Sequence, residues 1–125
     1  MSVAAPSGEL LRIEERNDVT YICLNRPPLN VLNIALMRDI SAAVRRAGER
    51  PENRAVVLGA EGKAFSVGAE VNEVKSDRMP ELLGIFHEMI KTVLYSPLPV
   101  VARVQGPALG GGCELATAAD IVVIA

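Results

Sequence analysis

Gly110-Gly111-Gly112 runs straight into Cys113 and Glu114, inside the stretch GPALGGGCELATAAD from Gly106 to Asp120. Three consecutive residues without a Cβ let the backbone come against another backbone or a ligand. The small-residue pattern that follows predicts a helix beginning at the glycines. The free N–H groups of such a helix start favour negative charge in front of them. Glu114 falls in its first turn. Donors suited to a developing anion, with a carboxylate alongside, form the layout of an active site.

Three other chemistries fit this stretch poorly. A phosphate loop read from Gly106 needs Lys-Ser/Thr after Gly111, where Gly112-Cys113 stands. A dinucleotide fingerprint read from Gly110 meets Leu115 at its third glycine. A Cys113 nucleophile at a helix start needs a base beside it, and no His is placed there by the sequence.

The chain of 125 residues makes one domain at most, long enough to bury a core. Half of it is hydrophobic and 22% is charged, a globular balance rather than a disordered one. A net charge of −2 without a basic block, and 3% aromatic residues, argue against a nucleic-acid partner. Cys23 and Cys113 lie far apart with no Cys/His cluster, so no metal pattern and no disulfide framework is expected. Free thiols point to a reducing compartment. The N-terminal MSVAAPSGE has neither the pattern of a signal peptide nor that of a transit peptide, and no apolar run approaches the roughly 18 residues of a membrane span. The expected setting is cytoplasmic.

Along the chain, Leu10 to Arg16 alternates as a half-exposed strand, Asn17-Asp18 is a turn pair, and Val19 to Leu24 is a second strand, together a hairpin. Cys23 reads as a small buried hydrophobe in that strand. The prolines in Asn25 to Asn30 exclude regular structure. Asn33 is a good N-cap for an amphipathic helix from Ile34, carrying Met37, Ile40, Val44 and Ala47 on one face, with Gly48 as the expected stop. Ala55 to Leu58 is a short buried strand, and a loop runs from there through Ala64 to Val71. Glu70 and Glu73 in that region read as solvated or loop-tying charges. Pro80 to Ser96 is a second long helix with Leu82, Phe86, Met89, Ile90 and Val93 on its apolar face. His87, the single histidine, lies off that face without a partner and reads as a surface residue. Val100 to Val104 and Ile121 to Ala125 are further strands. The order predicts α/β with parallel crossovers, in a βα repeat that looks unfinished, like a domain cut in half.

Three segments carry a family resemblance. Val100 to Ala116, VVARVQGPALGGGCELA, closely resembles the signature of the enoyl-CoA hydratase/isomerase (crotonase) superfamily. Leu24-Asn25-Arg26-Pro27 with Leu29-Asn30-Val31-Leu32 is similar to the family's LNRP…LNAL segment, and Lys63 to Glu70 to its KAFxAGAD segment. The three occur in the family's order. Two positions depart from it: Glu70 stands where the family usually has Asp, and Pro27-Pro28 alters the LNRP segment. The resemblance runs from Leu10 onward and corresponds to the N-terminal half of a typical member.

The resemblance implies an α/β fold of the crotonase-like ββα spiral type, incomplete, without its C-terminal part and trimerisation helices. Residues 1–9 are expected to be a flexible N-terminus, and 10–125 the N-terminal part of an acyl-CoA-binding domain. The implied substrate is an acyl-CoA thioester, with coenzyme A part of the substrate and no separate cofactor or metal. The backbone N–H groups of Ala69 and Gly111 would hold the thioester oxygen, and Glu114 matches the first of two catalytic glutamates. Leu29, Val67, Ala69, Val71, Gly110 and Gly111 would line the substrate, with glycine at 111 needed for close approach. The implied activity is that of an enoyl-CoA hydratase/isomerase-type lyase, adding water to a 2-enoyl- or dienoyl-CoA. The alternatives are an enoyl-CoA isomerase, an alicyclic dienoyl-CoA hydratase (suggested by NRPPLNVLN), and a half-module that binds acyl-CoA without chemistry. The second glutamate would lie past residue 125, so the isolated chain is expected to be poorly active. A trimer or hexamer is expected of a full-length protein.

Overall fold

The Asn17-Asp18 pair sets the first strand pairing. Both residues take positive φ, 54° and 62°, as a two-residue type I′ hairpin turn requires. In the computed structural model, which describes residues 9–125, this turn joins β1 (Leu11–Arg16) to β2 (Val19–Leu24) antiparallel, with Ile13 opposite Ile22. The N-terminal stretch expected to be flexible lies outside the described residues, apart from Glu9. Alternation along β2 buries Thr20, Ile22 and Leu24 and leaves Val19, Tyr21 and Cys23 half-buried on the other face.

Asn33 caps α1 (Ile34–Glu49), its Oδ1 accepting from the Leu36 N–H at 2.8 Å. The helix passes through Gly48, the expected stop, and ends at Arg50, which is extended (φ −83°, ψ 116°). Pro51 explains the ending, because the residue before a proline is pushed out of the helical region. Gly48 instead makes room: a Cβ there would lie 3.0 Å from Pro97 Cγ.

β3 (Ala55–Ala60) is two residues longer than the apolar run Ala55 to Leu58, because Gly59 and Ala60 continue the ladder opposite Cys23 and Leu24. A single helical turn, α2 (Val71–Val74), follows, which the sequence did not announce. α3 (Met79–Leu94) carries Pro80 in its first turn, where its missing N–H costs nothing. Its buried residues are Leu82, Met89 and Val93, with Phe86 and Ile90 partly buried, and His87 is exposed as expected. Ion pairs Arg38–Glu81 (3.1 Å) and Arg45–Glu88 run from α1 to α3. β4 (Val100–Val104), α4 (Gly111–Ala118) and β5 (Ile121–Ile124) complete the order.

The sheet order is β1-β2-β3-β4-β5, parallel from β2 onward. Ile22, Leu58 and Ala102 lie side by side in register, and their face meets Met37, Ile40 and Val44 of α1, Met89 of α3 and Leu115 of α4 in one core. β5 differs from its neighbours. All four of its residues are 41–80% exposed although all are apolar.

Candidate active site

Three loops leave the carboxyl ends of the parallel strands β2, β3 and β4, the place where open α/β sheets hold ligands. They do not hang separately. Leu32 bridges Ala69, and Ser66 bridges Ala108, both in parallel. The main-chain bonds are Leu32 N–H to Gly68 O (2.7 Å), Glu70 N–H to Leu32 O (3.0 Å), Val67 N–H to Leu29 O (3.1 Å) and Leu109 N–H to Ser66 O (2.9 Å). The loops thus form a second tier of extended backbone above the sheet.

This tier fixes the direction of the Ala69 N–H. The 68–69 peptide is trans, so its C=O and N–H point opposite ways. The C=O is bonded to Leu32, which turns the Ala69 N–H to the far edge. The start of α4 lies close to Gly68: a Cβ placed there would meet Leu109 O at 3.3 Å and Gly111 N at 3.4 Å. Gly68 itself takes φ +110°, a conformation that suits glycine. Gly111 is the first residue of α4, so its N–H has no intrahelical acceptor. Gly110 before it takes φ 52° and ψ −123°, a glycine-only turn into the helix, although a Cβ there would meet nothing within 4 Å.

The three glycines of the run face different neighbours. A Cβ on Gly111 would meet the flexible ring of Phe86 at 3.0 Å and Leu32 Cδ1 at 3.6 Å. A Cβ on Gly112 would lie 2.1 Å from the Ser66 carbonyl oxygen. The close approach is therefore demanded first by Gly112, between α4 and the β3 loop, and it is what brings Gly111 up to Gly68. Glu114 lies in the first turn of α4, exposed and three residues after Gly111, on the same side of the helix. Cys113 is exposed, and no hydrogen bond joins it to His87 among the described residues.

Leu29, Val67 and Val71 sit on the outer side of the same tier. Leu29 is 47% exposed and Val71 56% exposed, while Val67 is half-buried and bonded to Leu29 through its N–H. The expected substrate-lining residues Leu29, Val67, Ala69 and Val71 thus fall on the segments that follow β2 and β3, and Gly110 and Gly111 approach Gly68 from the segment that follows β4.

Asn30 and Ser66 are the residues that sequence reasoning missed. Asn30 is fully buried at φ 50°, and its Nδ2 donates to Glu61 O (2.7 Å) and Ala64 O (2.8 Å). Its Oδ1 accepts from the Arg26 N–H at 2.8 Å. Ser66 Oγ donates to Asn30 O at 2.7 Å and accepts from the Gly68 N–H at 3.3 Å. The signal available was an Asn after Pro-Pro-Leu, a residue that tolerates the left-handed region; its partners 31 and 34 positions away were not visible. Glu70 and Glu73 tie loops, as one of their two readings had it: Glu70 pairs with Arg26 at 3.1 Å, and Glu73 Oε1 accepts from the Ile34 N–H at 2.9 Å.

Cys23 departs from its reading as a buried hydrophobe. It is half-buried on the face of the sheet away from the helices, beside Arg12, Tyr21, Val57 and Arg103 in a groove of about 370 Å³. Burial pushes its thiol up to about 12, helped by donation to Glu61 Oε2 at 3.4 Å. No group of three or more His, Cys, Asp or Glu is placed to hold a metal among the described residues, and no helix there is long and apolar enough to cross a membrane.

Residues 14–125 match the family model described as enoyl-CoA hydratase/isomerase. A cyclohexa-1,5-dienecarbonyl-CoA hydratase of Thauera aromatica is 33% identical over 90% of this chain and 44% of its own length. A protein of Rhizobium meliloti named "Probable enoyl-CoA hydratase" is 39% identical over 94% of this chain and 46% of its own. The crystal structure of an enoyl-CoA hydratase from Mycobacterium smegmatis superposes with a TM-score of 0.87 at 31% identity, covering 93% of this chain and 48% of that one. An enoyl-CoA hydratase/carnithine racemase from Magnetospirillum magneticum gives 0.87 at 28% identity, covering 94% and 47%. The chain spans about half the length of the relatives it matches, and over that length its fold is the crotonase-like α/β arrangement expected. By sequence and by fold, this chain belongs to the enoyl-CoA hydratase/isomerase family.

Proposed function

We propose that this chain forms the thioester-seating part of an acyl-CoA hydratase that adds water to a 2-enoyl- or dienoyl-CoA. The observation that carries the reading is the 68–69 peptide set against the first residue of α4. The Ala69 N–H would face that helix start, and the Gly111 N–H, at the first position of α4, would be available beside it. Both would donate to the thioester oxygen. As water adds at the β-carbon, electrons move onto that oxygen, and a donor lost from such a pair costs about 3 kcal/mol of barrier. Glu114 would orient the water and take its proton. The resemblance puts a second glutamate, which would deliver the α-proton, beyond residue 125.

Coenzyme A would run along the outer tier as part of the substrate, with the adenine near Val67, Ala69 and Val71 and the pantetheine arm near Leu29. A cytoplasmic setting suits the two free thiols, Cys23 and Cys113. A trimer or hexamer is the corresponding assembly for a full-length protein. The Thauera aromatica relative, named for a cyclic dienoyl-CoA, favours an alicyclic dienoyl-CoA as substrate. An enoyl-CoA isomerase would use the same thioester seat. A second reading is binding of the thioester without turnover.

The test is hydration of crotonyl-CoA and of cyclohexa-1,5-dienecarbonyl-CoA by the protein that carries this sequence, followed by loss of the enoyl-thioester absorbance. Glu114→Gln is expected to slow it by roughly a hundredfold or more, the scale of a lost general base. An undiminished rate removes Glu114 from the mechanism. The 125-residue chain alone is expected to bind these thioesters with little turnover; brisk hydration by it would rule out the second reading.

A further inference from the structure

Arg26 is committed at both ends of its guanidinium, yet no step of the hydration uses it. Nη1 donates to Val31 O at 3.0 Å, and Nη2 to Glu70 Oε1 at 3.1 Å. These two contacts lie on either side of the Leu32–Ala69 bridge. The pair is 34% and 22% exposed, and ion pairs that open to solvent add little to stability. Its geometry is more informative. Val31 O and the Leu32 N–H belong to one trans peptide, and that N–H donates to Gly68 O at 2.7 Å. Gly68 O and the Ala69 N–H belong to the next trans peptide in the path. Two peptides thus run head to tail from the Arg26 cation to the Ala69 N–H. Hydrogen bonds in such a chain polarise one another, and a charged donor at its head strengthens each donor down the line.

We infer that Arg26, oriented by Glu70, is a positioning residue that aims and strengthens the Ala69 N–H as a donor to the thioester oxygen. The inference rests on the acyl-CoA reading above. Glu70 holds the guanidinium in the plane that lets Nη1 reach Val31 O. Loss of Glu70 lets the arginine swing into solvent, and loss of Arg26 leaves the two peptides bonded but without their charged head. The Leu32–Ala69 bridge is made by main-chain atoms alone, so it is expected to survive in both cases.

Two ligands separate donor strength from general binding: butyryl-CoA, and S-butyl-CoA, the thioether that lacks the carbonyl oxygen. Calorimetry on the parent chain is expected to show a preference for the thioester of about tenfold or more, the scale of a charge-assisted donor. Arg26→Met and Glu70→Gln are expected to cut that preference by about fivefold, while S-butyl-CoA binding and the thermal midpoint stay near those of the parent. The carbonyl stretch of bound butyryl-CoA, lowered in the parent, should move back toward its free frequency in both variants, and Arg26→Lys should restore part of the shift. Arg38→Met, which breaks the more exposed Arg38–Glu81 pair away from the site, should change neither reading. If Arg26→Met does not fold, Glu70→Gln carries the same test, because it frees the guanidinium from its place at Val31 O while keeping the Arg26 side chain. An unchanged preference in the variants, or an equal loss for both ligands, overturns the role of Arg26. A parent chain that binds both ligands equally overturns the acyl-CoA reading itself, and this inference with it.

Discussion

Gly112 shows how much of the candidate site depends on one missing methyl group. A Cβ there would sit 2.1 Å from Ser66 O and 2.8 Å from Ser66 Cβ. Backbone, not the end of a flexible side chain, is in the way, so α4 or the β3 loop must move. Gly112→Ala is expected to cost about 3 kcal/mol, at the upper end of overpacking effects, read from the urea midpoint. Gly111→Ala presses on the Phe86 ring instead and should cost clearly less. From sequence alone the three glycines look equivalent. What separates them is the identity of the atom facing each one, and Ser66 is 46 positions away from Gly112 in the chain. Asn30 is the same kind of case. Its side chain closes three contacts inside the loop tier, and the only local trace of that role is a turn-prone residue after two prolines.

At the level of elements, local chemistry goes further. The hairpin follows from Asn17-Asp18, the start of α1 from Asn33, and the apolar face of α3 from a spacing of three and four. Misplaced ends have different causes: β3 is extended by its ladder with β2, a tertiary effect, while α1 is ended locally by Pro51 rather than Gly48. The single turn α2 has no buried residue of its own, so no apolar pattern marks it. β2 yields a prediction about pH. Its Cys23 thiol is held at about 12, against an ordinary 9.0. Below pH 9 the thiol is protonated in folded and unfolded chains alike. As pH rises past 9 the unfolded chain ionises and the folded one does not, so stability falls with pH until the folded thiol titrates. A series of urea midpoints above pH 9 should decline less steeply in Cys23→Ala than in the parent. Equal slopes would show that the thiol does not contribute.

Across the whole molecule, the two edges of the sheet contrast. β1 presents Arg12, Glu14 and Arg16 with its apolar residues, a mixture that discourages pairing with another strand. β5 presents Ile121, Val122, Val123 and Ile124, none less than 41% exposed. An apolar edge of this kind is a template for association. The 125-residue chain is expected to sediment as a concentration-dependent oligomer, and Val123→Lys to shift it toward monomer. A parent chain that stays monomeric across the range would show that β5 is inert. The family and the α/β architecture were readable from three motifs and from the order of elements. The all-apolar strand in an unfinished βα repeat also pointed to exposed apolar surface, and β5 is where it falls.

The tier of loops above the sheet has one further consequence. It is held by main-chain bonds at Leu32, Ala69, Ser66 and Ala108, and most of its outward side chains carry none of that load. Leu29, Val71 and Leu109 can be exchanged without untying it. A framework of this kind separates inheritance from innovation: descendants can alter what they recognise by surface substitutions while the backbone seat passes on unchanged.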